Sequence, residues 1–120
     1  MIERRPWGWF ETLARGEGWL FKRLVVEPGK RLSLQYHEHR AEQWLVVRGR
    51  GTAQIGERRL VMETGHTLTI PLGATHRIDN VYGTERLEVL EIQLGARLDE
   101  HDIVRLVDDY GRVATVTAGR

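Results

Sequence analysis

Two stretches decide how this chain folds: GKRLSLQYHEHRAEQWLVVRG, residues 29–49, and GHTLTIPLGATHRIDN, residues 65–80. The first reads G-x(5)-Q-x-H-x(4)-E-x(6)-G and the second G-x(5)-P-x-G-x(2)-H-x(3)-N. Residues two apart in an extended strand share a face. Ser33, Gln35 and His37 therefore face one way, and Leu32, Leu34 and Tyr36 the other. In the run that follows, Glu42, Trp44 and Val46 share a face. Trp44 and Val46 would then floor a pocket whose rim holds Glu42.

Outward from this centre, short apolar runs recur between glycine or charged turns. Strands are predicted over Trp19–Val26, Leu32–His37, Gln43–Val47, Thr52–Ile55, Leu60–Met62, Thr67–Ile70, His76–Val81 and Leu87–Leu94. Regular short strands with such turns specify an all-β sandwich or barrel in a single domain. One helical stretch is expected, a turn or two over Leu98–Arg105 with Asp99 as N-cap. The domain is expected to span residues 1–112, followed by a flexible C-terminal tail over 113–120.

The bulk composition narrows the classes of function. The 120 residues contain no cysteine, and 18 basic against 17 acidic residues leave a net charge of +1. The basic residues are scattered, so a nucleic-acid surface is not expected. No apolar run is long enough to cross a bilayer as a helix, and the first ten residues lack an apolar signal core. No membrane contact and a cytoplasmic location are the corresponding expectations.

Gln35, His37, Glu42 and His76 are the candidate metal ligands. Two imidazoles, one carboxylate and one amide oxygen suit zinc, iron, manganese, cobalt or nickel. The set is too poor in oxygen for a dedicated calcium cage, and the lack of thiolates argues against a closed structural zinc site. His39, by spacing on the face of His37, is expected at the pocket rim. His66 and His101 are expected at the surface.

The paired pattern resembles the two sequence motifs of the cupin superfamily, with Gln35 where many cupins carry a first histidine. The second motif matches at Gly65, Pro71, Gly73, His76 and Asn80. The resemblance implies a cupin double-stranded β-helix, the jelly-roll barrel. From Arg5 to Arg112 the chain looks more narrowly like the C-terminal isomerase domain of type II mannose-6-phosphate isomerases, usually fused to a mannose-1-phosphate guanylyltransferase. The matching pieces are RPWGWFE, GKRLSLQYHEHRAEQWLVVRGRG, IPLGATHRIDN and DIVRLVDDYGR. Type I enzymes share the Ser-x-Gln-x-His run, here Ser33 to His37, and hold zinc through Gln, His, Glu and His. The resemblance thus implies one divalent ion, zinc foremost, on Gln35, His37, Glu42 and His76.

The implied reaction interconverts mannose 6-phosphate and fructose 6-phosphate through an enediolate. A base must collect a proton from carbon, and His39 and Glu91 are the candidates. Arg77, Lys22 and Arg40 are the expected partners of the sugar phosphate, with Ser33 also lining the site and Arg77 near enough to the chemistry to count as catalytic. Arg40 stands where type I enzymes carry a lysine. GDP-mannose synthesis is not expected, because no glycine-rich phosphate loop is present. The alternative is a non-catalytic metal- and carbohydrate-binding cupin that assists or regulates polysaccharide biosynthesis. A third is a cupin acting on another small substrate. Leu45 and Val47, opposite in facing to Glu42, suggest a homodimer.

Overall fold

The computed structural model describes residues 1–113. Among these there is no helix; eleven strands make up the fold. They are β1 (Ile2–Arg5), β2 (Gly8–Gly16), β3 (Trp19–Val26), β4 (Leu34–Tyr36), β5 (Arg40–Arg48), β6 (Arg50–Ile55), β7 (Arg58–Glu63), β8 (Thr67–Ile70), β9 (His76–Asp79), β10 (Leu87–Gly95) and β11 (Val104–Val107). Two antiparallel sheets result, ordered β1-β2-β3-β10-β5-β8 and β11-β4-β9-β6-β7. β3 and β8 coincide with the runs read from the sequence, while β4 is shorter at both ends and β5 longer.

Alternation explains both the core and the opening. The inward rows are Lys22, Leu24 and Val26 on β3, Arg40, Glu42, Trp44 and Val46 on β5, and Leu87, Val89, Glu91 and Gln93 on β10, all buried. Each row is apolar at one end and polar at the other. The antiparallel register sets Val89 beside Val46 and Leu24, Glu91 beside Trp44 and Lys22, and Gln93 beside Glu42. One end of the barrel is therefore filled by Val26, Val46, Met62, Leu87 and Val89. The other end gathers polar side chains that the strands carry inside with the rest of their inward face.

Glycine closes the turn between β5 and β6. Gly49 has φ +84°, and a Cβ there would lie 2.3 Å from the carbonyl oxygen of Arg86. Only glycine combines that dihedral with that approach. Asn80 of the second motif lies at the filled end, donating to the carbonyls of Val26 and Glu85 at 3.0 Å each. It closes a loop and does not join the surroundings of the ligands.

Three strands depart from the expectation. β1 and β2 were not anticipated, and the Leu98–Arg105 segment is not helical. Asp99 caps as its type suggests, but the cap closes a single turn: Oδ1 accepts from the amide of His101 at 2.9 Å, and the amide of Asp102 reaches Asp99 O at 3.3 Å. Beyond it the chain extends into β11 alongside β4. Pairing with β4 supplies backbone partners that a short isolated helix lacks. Of the expected tail, Val113 is described and exposed; residues 114–120 lie outside the described residues.

Candidate metal centre

The polar end of the barrel holds a cavity, and inside it three ligand atoms converge. His37, Glu42 and His76 each offer an atom within 4.8 Å of the others, and all three residues are buried. His37 Nε2 is 3.2 Å from Glu42 Oε2, and His76 Nε2 is 3.9 Å from Glu42 Oε1. Gln35 pairs directly with His76 across β4 and β9, so the two share a sheet face. It too lines the cavity.

Backbone carbonyls orient both rings. His37 Nδ1 is 2.6 Å from Asp102 O, and His76 Nδ1 is 3.0 Å from Ala74 O. A carbonyl only accepts, so each Nδ1 carries the proton and each Nε2 is left to face Glu42. This is the outer support expected of metal-binding histidines. Burial lowers the pKa of His76, which favours the neutral ring that an ion requires. Burial pushes Glu42 up, but the His37 and His76 rings and the Arg40 guanidinium around it together hold it well below the ordinary value. The donor set fits a divalent ion.

Arg40 shares the same atoms. Its Nε donates to Glu42 Oε2 at 3.0 Å, and its Nη2 lies 3.1 Å from His37 Nε2. Trp44 Nε1 is shared between Glu42 Oε1 at 3.0 Å and Glu91 Oε2 at 3.1 Å. Glu91 Oε1 accepts from Gln93 Nε2 at 2.7 Å. Burial, together with the charge of Glu42, raises the pKa of Glu91 to about 8. Two neighbouring carboxyls thus hold opposite states at neutral pH, Glu42 ionised and Glu91 protonated.

Of the other expected residues, Lys22, Ser33, Arg40 and Glu91 all line the cavity. Lys22 Nζ lies 4.1 Å from the Phe10 ring centroid and contacts the Glu100 carboxylate. Arg77 and His39 are not brought to it. Arg77 follows His76 on β9 and so takes the opposite face, where Nε donates to Leu32 O at 2.9 Å and Nη2 to Val107 O at 3.2 Å. His39 is exposed because β4 ends at Tyr36 and β5 begins at Arg40. The intervening bend breaks the two-residue alternation, and Arg40 takes the inward place. His66 and His101 are exposed, as expected.

Sequence reasoning missed Asp102, whose carboxylate oxygens accept the amides of Glu38 at 2.9 Å and His39 at 3.0 Å while its carbonyl holds His37. It also missed Gln93, Arg5, Arg105 and Arg112 on the cavity wall. Gln93 was available from the alternation Leu87, Val89, Glu91, Gln93. Arg5 and Arg105 lie in strands that were not read, and Asp102 and Arg112 in the segments flanking β11.

The model of the family described as "Mannose-6-phosphate isomerase C-terminal" matches residues 2–108. The chain belongs to the mannose-6-phosphate isomerase C-terminal family. Within it, the chain is 46% identical over 108 residues to the xanthan biosynthesis protein XanB of Xanthomonas campestris pv. campestris, covering 90% of this chain and 23% of XanB. It is 46% identical over 110 residues to the mannose-1-phosphate guanylyltransferase ManC of Salmonella typhimurium, covering 91% of this chain and 22% of ManC. The chain therefore spans less than a quarter of the length of these relatives. Among solved structures, the cupin-2 domain Rru_A2000 of Rhodospirillum rubrum superposes with a TM-score of 0.67 at 24% identity, over 78% of this chain and 67% of that one. This last likeness establishes the cupin fold. The family assignment identifies the chain as a C-terminal cupin domain of the guanylyltransferase/isomerase type, related to enzymes of sugar and polysaccharide biosynthesis.

Proposed function

We propose that this mannose-6-phosphate isomerase C-terminal domain interconverts mannose 6-phosphate and fructose 6-phosphate with one divalent ion, zinc foremost. One observation carries the reading. Among the described residues, Arg40 Nη1, Gln93 Oε1 and Arg105 Nε are buried without a hydrogen-bond partner, and all three residues line the cavity that holds the ligand cluster. Buried polar groups are almost always paired. Three unpaired atoms around one cavity support a polar, oxygen-rich ligand such as a sugar phosphate.

His37, Glu42, His76 and Gln35 would hold the ion, which when bound supplies positive charge to polarise neighbouring carbonyl and hydroxyl oxygens. Arg40 Nη1 then offers a donor to a substrate oxygen, and Gln93 Oε1 accepts from a hydroxyl. Glu91 is the proton-carrying group. With an ion offsetting the charge of Glu42, Glu91 would give up its proton more readily, and its carboxylate would take a proton from one sugar carbon and return it to the neighbour. Glu42 is unsuited to this, because the ion it would hold depresses its basicity and its oxygens already accept from Arg40 and Trp44. Trp44 Nε1 holds the two carboxylates in place.

The test is a coupled assay of mannose 6-phosphate isomerisation with zinc, manganese, iron, cobalt or nickel added to the metal-free protein. Activity should appear with metal and be lost in Gln35→Ala and His76→Ala variants that keep the fold. Wild-type turnover in both variants would defeat the assignment. Metal and sugar-phosphate binding without turnover would replace it by the non-catalytic cupin.

A further inference from the structure

Arg105 sits directly opposite Gln35 in the β11–β4 register. Opposed residues share a sheet face, so its side chain projects toward the cavity that Gln35 opens on. It is a cation whose Nε is buried with no partner among the described residues. An arginine left in that condition loses hydrogen bonds it would make in water.

Two further cations stand beside it. Arg5, at the end of β1, and Arg112, beyond β11, both line the same cavity. Arg112 is already paired with Asp108, its Nε at 2.8 Å and its Nη2 at 3.0 Å from the two carboxylate oxygens. Arg5 donates to its neighbour Arg4 O at 2.9 Å, has Glu3 at 3.5 Å, and lies 4.8 Å from the Phe10 ring centroid. Lys22 is engaged by Glu100. The cluster therefore keeps unspent donor capacity mainly at Arg105 and Arg5. Burial lowers the pKa of Arg105, and the like charges of Arg112 and Arg5 add to this while Asp108 and Glu100 act against it. Like charges held together are relieved by a bound anion.

We propose that Arg105, with Arg5 and Arg112 flanking it, forms a subsite for a phosphate monoester at the mouth of the cavity. A planar guanidinium presents paired donors that match phosphate oxygens, and a bound anion balances the unpaired charge of Arg105. The subsite lies on the same wall as Gln35, so a phosphorylated open-chain sugar anchored there extends inward to the ligand cluster. It takes over the role the sequence suggested for Arg77, which the fold turns to the opposite face. Only the identity of the sugar rests on the isomerase reading; the anion subsite stands on the cavity.

The experiment is calorimetric titration of inorganic phosphate, mannose 6-phosphate and mannose into the metal-loaded full chain and into Arg105→Gln, with metal content and melting temperature measured for each protein. Wild type should bind inorganic phosphate and mannose 6-phosphate. Arg105→Gln should weaken both by about tenfold or more while leaving metal content unchanged, and Arg5→Gln should weaken them less. Unphosphorylated mannose should bind equally weakly to all. Should Arg105→Gln fail to fold, Arg105→Lys replaces it; lysine keeps the charge but lacks the fork, and weaker phosphate binding is again expected. Wild-type phosphate affinity in the folded Arg105 variant, or no phosphate binding by the wild type, overturns the subsite. Arg105-dependent phosphate binding without isomerisation would end the isomerase reading and leave the subsite. Normal isomerisation by Arg105→Gln would do the reverse.

Discussion

Glu91 and Glu42 lie in one cavity, yet burial and neighbours drive them to opposite protonation states. The carboxyl of Glu91, protonated up to about pH 8 in the folded protein against an ordinary value of 4.5, has a definite consequence for stability. Between those two pH values the unfolded chain has lost this proton and the folded protein has kept it, so stability falls as pH rises. Glu91→Gln removes that slope. Urea denaturation of the metal-free proteins at pH 5 and pH 8 should show the variant gaining on the wild type at the higher pH, by on the order of a few kcal/mol. Bound metal offsets the charge of Glu42 and should shrink the difference. In the isomerase assay the same variant should lose activity by about a hundredfold or more with little change in KM, because glutamine fits the space but cannot carry the proton. At this scale the convergence of the candidate ligands was legible: Gln35, His37, Glu42 and His76, named from the motif resemblance, line one cavity. Arg77 and His39 were not, because residue proximity in sequence does not report which face a strand presents or where a bend resets the alternation.

The elements differ in how openly they announce themselves. β3, β5, β8 and β10 carry clean alternation or dense β-branched and aromatic residues, and their inward rows could be read almost directly. β2 reads GWFETLARG, with small and charged residues through its second half, and its partner β1 is IERR. Both are held by pairing with β3 more than by their own propensity, since strand preference depends on the neighbouring surface. β11 misleads most, because Asp99 gives a true capping signal that the following residues do not continue. The turn joining β5 to β6 allows a direct test. Gly49→Ala places a methyl group against Arg86 O and forces a side chain into left-handed backbone. It should destabilise the fold by about 2 kcal/mol or more, read as a lower urea midpoint with unchanged slope. Gly56, with φ +60° and open space around its Cβ position, should tolerate alanine better.

For the whole molecule, a bound metal would link site and stability. Ligands drawn from β4, β5 and β9 span both sheets, so an ion that binds only the folded barrel should raise its melting temperature. At a free concentration a hundred times Kd the gain is about 2.7 kcal/mol, and a chelator should reverse it. The outer face of the six-stranded sheet exposes Trp19, Leu45, Val47 and Leu94, and its central charges are already paired, Arg23 with Glu11 and Glu88. A face without net unpaired charge can meet a copy of itself, so the proposed homodimer uses this surface. Light scattering should give twice the chain mass, and Leu45→Glu should halve it; a wild-type mass of one chain removes the proposal. No helix among the described residues is long and apolar enough to cross a membrane. The sequence by itself determined the barrel class and which four candidate ligands would meet, because two-residue alternation and motif spacing are local properties of an extended chain. Only the tertiary structure decided that Glu91 would be protonated, that Asp102 would hold His37, and that Arg105 and not Arg77 would face the cavity. Those outcomes depend on burial and on strand register between segments far apart in the chain, which no local pattern encodes.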